Sequence, residues 1–193
     1  MNESIARGVF WTIGYLRRRY FRLMDRVCTT RFSREFLKCG QDIRIYYPCL
    51  ITGPQFVEMG DNVHLNRGAF VRAEGGLKIG DNVHIARNLT IYTINHNYMG
   101  NALPYDNTVV KKSVVIERNV WIGINVTIVP GVKIGEGAII GAGTVVTRDI
   151  PPLAIVGSQS PKIIKYRDEA HYALLDRARK YGGPSGRLYR REE

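Results

Sequence analysis

Residues 112–151 read KSVVIERNVWIGINVTIVPGVKIGEGAIIGAGTVVTRDIP, and one rhythm runs through them. An aliphatic residue returns every six positions, at Ile116, Ile122, Ile128, Ile134, Ile140 and Val146. A second series follows each by four places, through Val120, Val126, Val132, Ala138, Thr144 and Ile150, and Gly, Asn or Asp often fills the gaps. A helix would need apolar returns at every third or fourth residue, and an isolated strand alternates without regular turn residues. Neither pattern matches. A six-residue unit that alternates in-out-in, as in Val120-Trp121-Ile122 and Val126-Thr127-Ile128, and then turns is one short strand plus a corner. Such a unit cannot bury its apolar side alone, so successive units stack into a parallel β-helix. With three units per triangular coil, like positions lie one above another about 4.8 Å apart.

The same period extends upstream. Met59, Leu65 and Val71 form one coil, and Ile79, Ile85 and Ile91 the next. The step from Val71 to Ile79 is eight, which predicts a two-residue bulge at the Glu74-Gly75-Gly76 corner. The step from Ile91 to Ile116 is 25, and the repeat is lost from Asn97 onward, so residues 97–112 are expected to leave the coil as a loop. Excursions from an otherwise strict repeat commonly build the binding face. Pro48, Gly53 and Pro54 make the first coil irregular, with Ile43, Ile45 and Ile51 as its inward residues.

The units Ile-Gly-Asp-Asn-Val (79–83), Asn-Val-Trp-Ile-Gly (119–123), Ile-Gly-Glu-Gly-Ala (134–138) and Ile-Gly-Ala-Gly-Thr (140–144) resemble those of the hexapeptide-repeat acyltransferases. The resemblance covers roughly residues 42–165. It implies an all-β, left-handed parallel β-helix, an exception to the right-handed crossover rule. The organisation that follows is an N-terminal amphipathic helical segment (1–40), the β-helix domain (41–165) and a C-terminal helix and tail (166–193).

Composition is that of an ordinary globular chain of 193 residues, but its net charge of +11 is unevenly spread. Residues 1–40 carry +6, residues 41–161 carry +1 and residues 162–193 carry +4. A nucleic-acid surface would place its basic residues, interleaved with aromatics, on the folded body, so no nucleic-acid partner is expected. Three cysteines, Cys28, Cys39 and Cys49, show no metal-ligand spacing, which fits reduced thiols and a cytoplasmic location. Arg17, Arg18 and Arg19 interrupt the apolar opening, so it reads neither as a signal peptide nor as a membrane span. Residues 4–27 read instead as an amphipathic helix with Val9, Ile13, Leu16, Tyr20, Leu23 or Met24, and Val27 on one side and Arg18, Arg22 and Arg26 on another. Two uses are open to it: capping an end of the β-helix, or peripheral contact with an anionic membrane through Phe10, Trp11 and Phe21. Asp168 to Lys180 reads as a second helix, stopped by Gly182-Gly183-Pro184.

His96 stands where the last upstream strand gives way to the long loop. An imidazole exchanges protons near neutral pH, which suits a general base there, and the position matches the family's catalytic His. Aligned on Met59-Gly60-Asp61-Asn62-Val63-His64-Leu65-Asn66, Asn66 falls where the galactoside and maltose acetyltransferase branch keeps an active-site Asn; the alternative is a turn Asn capping backbone groups. Glu74 falls near that branch's acceptor-binding acid. In the loop, Tyr98, Tyr105 and Asn101 offer rings and an amide to a sugar, or pack as a lid on themselves. Trp121 projects outward between two inward residues. Similar positions in the family border the coenzyme A groove, and subunit packing is the alternative. Ala142 and Gly143 leave backbone groups open to the pantetheine arm. With Thr147 they lie on the C-terminal coils, while Arg148, Lys162 and Lys165 are positioned to meet coenzyme phosphates. Ser160-Pro161 departs from the family's Pro-Ala before the Lys.

The resemblance therefore implies an acetyl-CoA-dependent O-acetyltransferase, a homotrimer whose site lies between subunits, with His96 from one and Asn66 from its neighbour. Its basic opening resembles that of enzymes acting on surface polysaccharides or their lipid-linked precursors, so a sugar or glycan acceptor is expected. Two other classes remain open. The same β-helix carries zinc hydratases of the gamma carbonic anhydrase type, which need three converging His. His64 and His84 are one coil apart and stack, but His96 is on another face and His171 is in the tail helix, so no metal is expected. A non-catalytic scaffold is the other.

Overall fold

A computed structural model describes residues 3–97, 105, 107–157 and 161–180. Five coils of short strands stack in register. The first is β1 (Lys38–Cys39), β2 (Arg44–Ile45) and β3 (Cys49–Thr52); the second is β4 (Val57–Met59), β5 (His64–Leu65) and β6 (Ala69–Arg72). The third is β7 (Leu77–Ile79), β8 (His84–Ile85) and β9 (Thr90–Tyr92), after which β10 (Ile94–His96) and β11 (Val109–Lys111) leave the stack. The fourth is β12 (Val114–Ile116), β13 (Trp121–Ile122) and β14 (Thr127–Ile128), and the fifth β15 (Lys133–Ile134), β16 (Ile139–Ile140) and β17 (Val145–Val146). Parallel pairing of like strands gives three walls, called A (β1, β4, β7, β12, β15), B (β2, β5, β8, β13, β16) and C (β3, β6, β9, β14, β17).

The interior is the hexad series. Ile45, Leu65, Ile85, Ile122 and Ile140 stack along wall B, each at most 3% exposed. Met59, Ile79, Ile116 and Ile134 do the same on wall A. Burying one such side chain contributes about 1.5–3 kcal/mol.

The three corners differ. Between walls A and B, Asn62, Asn82 and Asn119 adopt left-handed φ values of 54°, 56° and 61°, a region Asn tolerates better than most residues. Their amides form a ladder: Asn62 Nδ2 donates to Asn82 Oδ1 and Asn82 Nδ2 to Asn119 Oδ1, both at 3.0 Å. Glycine precedes the turn in four coils, at Gly40, Gly60, Gly80 and Gly135, because walls close in there: a Cβ on Gly60 would lie 2.8 Å from the Gly80 carbonyl carbon. Between walls B and C the left-handed positions are Gly68, Asn88, Asn125 and Gly143. Between walls C and A the chain inserts residues. A 3-10 turn at Pro54–Phe56 occupies the first coil, the expected bulge at Glu74-Gly75-Gly76 the second, and the β10–β11 excursion the third. That excursion is an antiparallel ribbon with Ile94 opposite Lys111 and His96 opposite Val109. The loop predicted over 97–112 is thus narrower, because the returning arm pairs with the outgoing one.

Helix α1 spans Glu3–Glu35, longer than the expected 4–27. Its last turns are held by Phe32 and Phe36, 4% and 8% exposed and stacked 5.9 Å apart, which seat in the core. The packed stripe is also not the one anticipated. Ile13, Leu16, Leu23 and Val27 are exposed, while Phe21, Asp25, Cys28, Thr29 and Phe32 turn inward, a face rotated by one residue, about 100°. The cause is polar. The bottom coil has no coil below it, and its downward N–H groups need acceptors. Thr29 Oγ1 accepts from Ile45 N at 3.0 Å and Asp25 Oδ1 from Tyr47 N at 2.9 Å. Capping of the β-helix end is therefore performed by the C-terminal half of α1.

At the other end β18 (Ala154–Gly157) extends wall B in parallel and β19 (Lys162–Tyr166) returns antiparallel on it. Helix α2 (Glu169–Arg177), whose N-cap Asp168 accepts from His171 N at 2.7 Å, lies over wall B. Arg118 pairs with Asp176 at 2.7 Å and Tyr172 OH donates to Glu136 at 2.7 Å, tying it down. Among the described residues no helix is long and apolar enough to cross a membrane.

Candidate active site

His96 ends β10, at the outer end of the paired strands of the ribbon, and is exposed. Its ring lies against that of Tyr105, centroids 3.8 Å apart and planes 12° apart. Asn95 Oδ1 accepts from the His96 backbone N at 2.9 Å. Directly below, Gly75 N donates to Thr93 Oγ1 at 2.7 Å, so the Glu74 bulge and the ribbon root share one corner. The Glu74 carboxylate accepts from Thr52 Oγ1 at 2.9 Å and Arg72 Nε at 3.1 Å. Burial pushes its pKa up, but hydrogen bonds from its own backbone, Thr52 and Arg72 outweigh burial and hold it below the usual range. Glu74 is thus an anion already engaged within the chain. Three coils above Glu74, Thr147 and Arg148 follow β17 on the same corner, and Arg148 Nη2 donates to the Pro161 carbonyl at 2.9 Å.

Asn66 stands elsewhere. It follows β5, on the corner between walls B and C, and its Oδ1 accepts from Arg67 N at 2.9 Å, the turn-capping contact weighed from the sequence. Ala142 and Gly143 occupy the same corner three coils higher, both exposed. The four residues of β6 separate this corner from that of His96, roughly 13 Å at about 3.3 Å per residue. One chain therefore carries two half-sets, His96 with Tyr105, Glu74, Thr147 and Arg148 on one edge of wall C, and Asn66 with Ala142 and Gly143 on the other.

Trp121 belongs to neither. It is 58% exposed on wall B, in register with His84 below and Ile139 above, and it opens into a groove of about 500 Å³ whose far side is α2, with Tyr172, Asp176 and Arg167 on its lining. Burial pushes the Tyr172 hydroxyl up to about 12. The second wall of this groove was not anticipated; the asparagines at 62, 82 and 119 were its signal, since the ladder ends on Tyr172, whose hydroxyl accepts from Asn119 at 2.7 Å. Lys162 and Lys165 lie exposed on β19, with Lys165 opposite Ile155. Tyr98, Asn101 and Ser160 lie outside the described residues.

His64 and His84 stack as expected, centroids 4.3 Å apart and planes 10° apart, on wall B. Both Nε2 atoms are buried without a hydrogen-bond partner. Burial, reinforced by His84 and Arg44, lowers the His64 pKa to about 4. Among the described residues no group of three or more His, Cys, Asp or Glu is arranged to hold a metal.

Residues 113–148 match the family model described as bacterial transferase hexapeptide (six repeats). Among solved structures, the chain is similar to a maltose O-acetyltransferase from Clostridium difficile 630, with 29% identity, TM-score 0.69, and coverage of 79% of this chain and 87% of that one. A galactoside acetyltransferase in complex with coenzyme A matches with 28% identity and TM-score 0.67 over 82% of this chain and 76% of that one. A hexapeptide-repeat containing acetyltransferase from Vibrio cholerae, complexed with acetyl-coenzyme A, matches with 29% identity and TM-score 0.65 over 71% and 75%. Among curated proteins, no sequence matches. Residues 113–148 are thus a hexapeptide-repeat segment, and the chain has the left-handed β-helix fold of these acetyltransferases.

Proposed function

We propose that this chain is an acetyl-CoA-dependent O-acetyltransferase that moves an acetyl group to a sugar hydroxyl, on a surface polysaccharide or its precursor. The observation that carries the reading is His96 at the outer end of the β10–β11 ribbon that leaves the coils, exposed and backed by Tyr105. His96 takes the proton of the acceptor hydroxyl as that oxygen attacks the thioester carbonyl, and the thiolate of coenzyme A leaves with the proton returned from the imidazole. General-base help of this kind is worth about 10²–10⁴-fold. The Asn66 amide or a backbone N–H stabilises the oxyanion, and Tyr105 offers its exposed edge to the sugar.

The working unit in this reading is a homotrimer. The half-sets on the two edges of wall C complete each other when the His96 edge of one copy meets the Asn66 edge of the next, a head-to-tail contact that closes as a ring. Leu50, Phe70 and Tyr92 supply apolar surface between those edges, with Phe70 and Tyr92 5.7 Å apart. We place the protein in the cytoplasm, at the inner membrane face, where Phe10, Trp11 and Leu16 of α1, 74%, 67% and 58% exposed, enter the headgroup region.

The test is acetyl-CoA consumption measured across a panel of cell-surface sugars and lipid-linked oligosaccharides, with His96→Ala as control. Saturable transfer to a sugar hydroxyl that this variant abolishes supports the proposal; no acetyl-CoA binding by calorimetry overturns it in favour of a scaffold. Sedimentation as a monomer at working concentration overturns the shared site.

A further inference from the structure

The corner that bears Asn66 also gathers positive charge. Arg67 and Arg87 occupy equivalent turn positions on successive coils, joined where Asn88 N donates to the Arg67 carbonyl at 2.9 Å. Helix α1 brings Arg17, Arg18 and Arg22 against them. The five guanidiniums and the ring of Phe21 line a groove of about 480 Å³, with no carboxylate on its lining.

The groove is built rather than accidental. Arg67 is fixed from below: its Nη2 pairs with Asp25 at 2.7 Å, its Nη1 donates to the Tyr47 carbonyl, and its guanidinium centre sits 4.5 Å from the Phe21 ring centroid. Asp25 also holds the bottom coil, so the contact that caps the β-helix positions this arginine. The other four make no ion pair among the described residues. Clustered like charges repel, and a concave wall concentrates their field. An anion relieves that repulsion. Guanidinium forks match the oxygens of phosphate in pairs, and the four that remain beside the paired Arg67 exceed what a single carboxylate needs.

We propose that this groove binds phosphate, as a diphosphate or a cluster of phosphate monoesters, carried by a soluble acceptor or by lipid headgroups at the surface that α1 faces. Binding itself is independent of any transfer chemistry. Its consequence for the acceptor does rest on the transferase reading: an anion holder beside Asn66 favours a sugar that carries phosphate over a neutral free sugar.

Calorimetry of the full chain with inorganic pyrophosphate, without acetyl-CoA, tests it, beside flotation with vesicles of neutral phosphatidylcholine and of phosphatidylcholine containing phosphatidic acid. Arg18→Gln/Arg87→Gln removes two exposed charges from the groove; Arg34→Gln/Lys38→Gln removes two elsewhere as a charge-matched control. The expected result is binding by the native chain that weakens with salt, falls at least about tenfold in the groove variant and holds in the control. Pyrophosphate binding alone assigns the groove to a soluble phosphate, and binding only to acidic vesicles assigns it to headgroups. Absence of both, or equal losses in the two double variants, overturns the proposal, and sugar acetylation that persists alongside leaves the transferase reading intact.

Discussion

The imidazole of His96 and the phenol ring of Tyr105 lie face to face, 3.8 Å between centroids. Stacking fixes the plane of an imidazole while leaving both ring nitrogens free at its edge, which is what a general base on an exposed ribbon requires. His96→Ala should lower kcat by about 10²–10⁴-fold with the thermal unfolding transition unchanged, because no interior contact is lost. Tyr105→Phe should keep most activity and Tyr105→Ala should not. Equal losses in the two Tyr105 variants would assign the hydroxyl, and not the ring, the leading role.

Asn82 is the middle rung of the corner ladder, both donor and acceptor, at φ 56°. Asn82→Gly loses the amide contacts but keeps the backbone at ease. Asn82→Ala loses both, with about 1–2 kcal/mol of left-handed strain in addition. Chemical denaturation should rank native above Gly above Ala, and the reverse order of the two variants would refute the assignment of strain.

Acidification should weaken the fold through the stacked histidines. In the folded chain burial holds His64 near 4 against an ordinary 6.5, and lowers His84 as well. As pH falls the unfolded chain takes up protons first, so stability declines from about 6.5 down to about 4 and levels off below. His64→Phe keeps a ring in the stack and removes one titration. Melting temperature followed over this range should fall less in the variant than in the native chain; parallel slopes would exonerate the pair.

The coils were legible because a six-residue period can come from little else, and the same arithmetic found the Glu74 bulge and the root of the ribbon. The packed face of α1 was not. Periodicity ranks residues by apolarity, and the face that docks was chosen by hydrogen-bond need: Asp25 and Thr29, polar residues outside the apolar series, answer N–H groups that exist only once the bottom coil is formed. The candidate site residues could be named one by one, but their placement on two corners of wall C could not. That requires counting walls as well as repeats, since Asn66 precedes a wall C strand and His96 follows one. The arginine groove was hidden for a similar reason, its members being scattered from Arg17 to Arg87.

A stack of identical rungs with bare ends is an invitation to fibre growth, each chain seeding the next. Here β19 reverses direction on the last wall B strand, and α1 occupies the acceptor-seeking groups of the first. A newcomer finds no parallel strand to continue at wall B's upper rim and no vacant amide at its foot. End-on polymerisation is thereby discouraged, and copies of this chain are left to meet flank to flank.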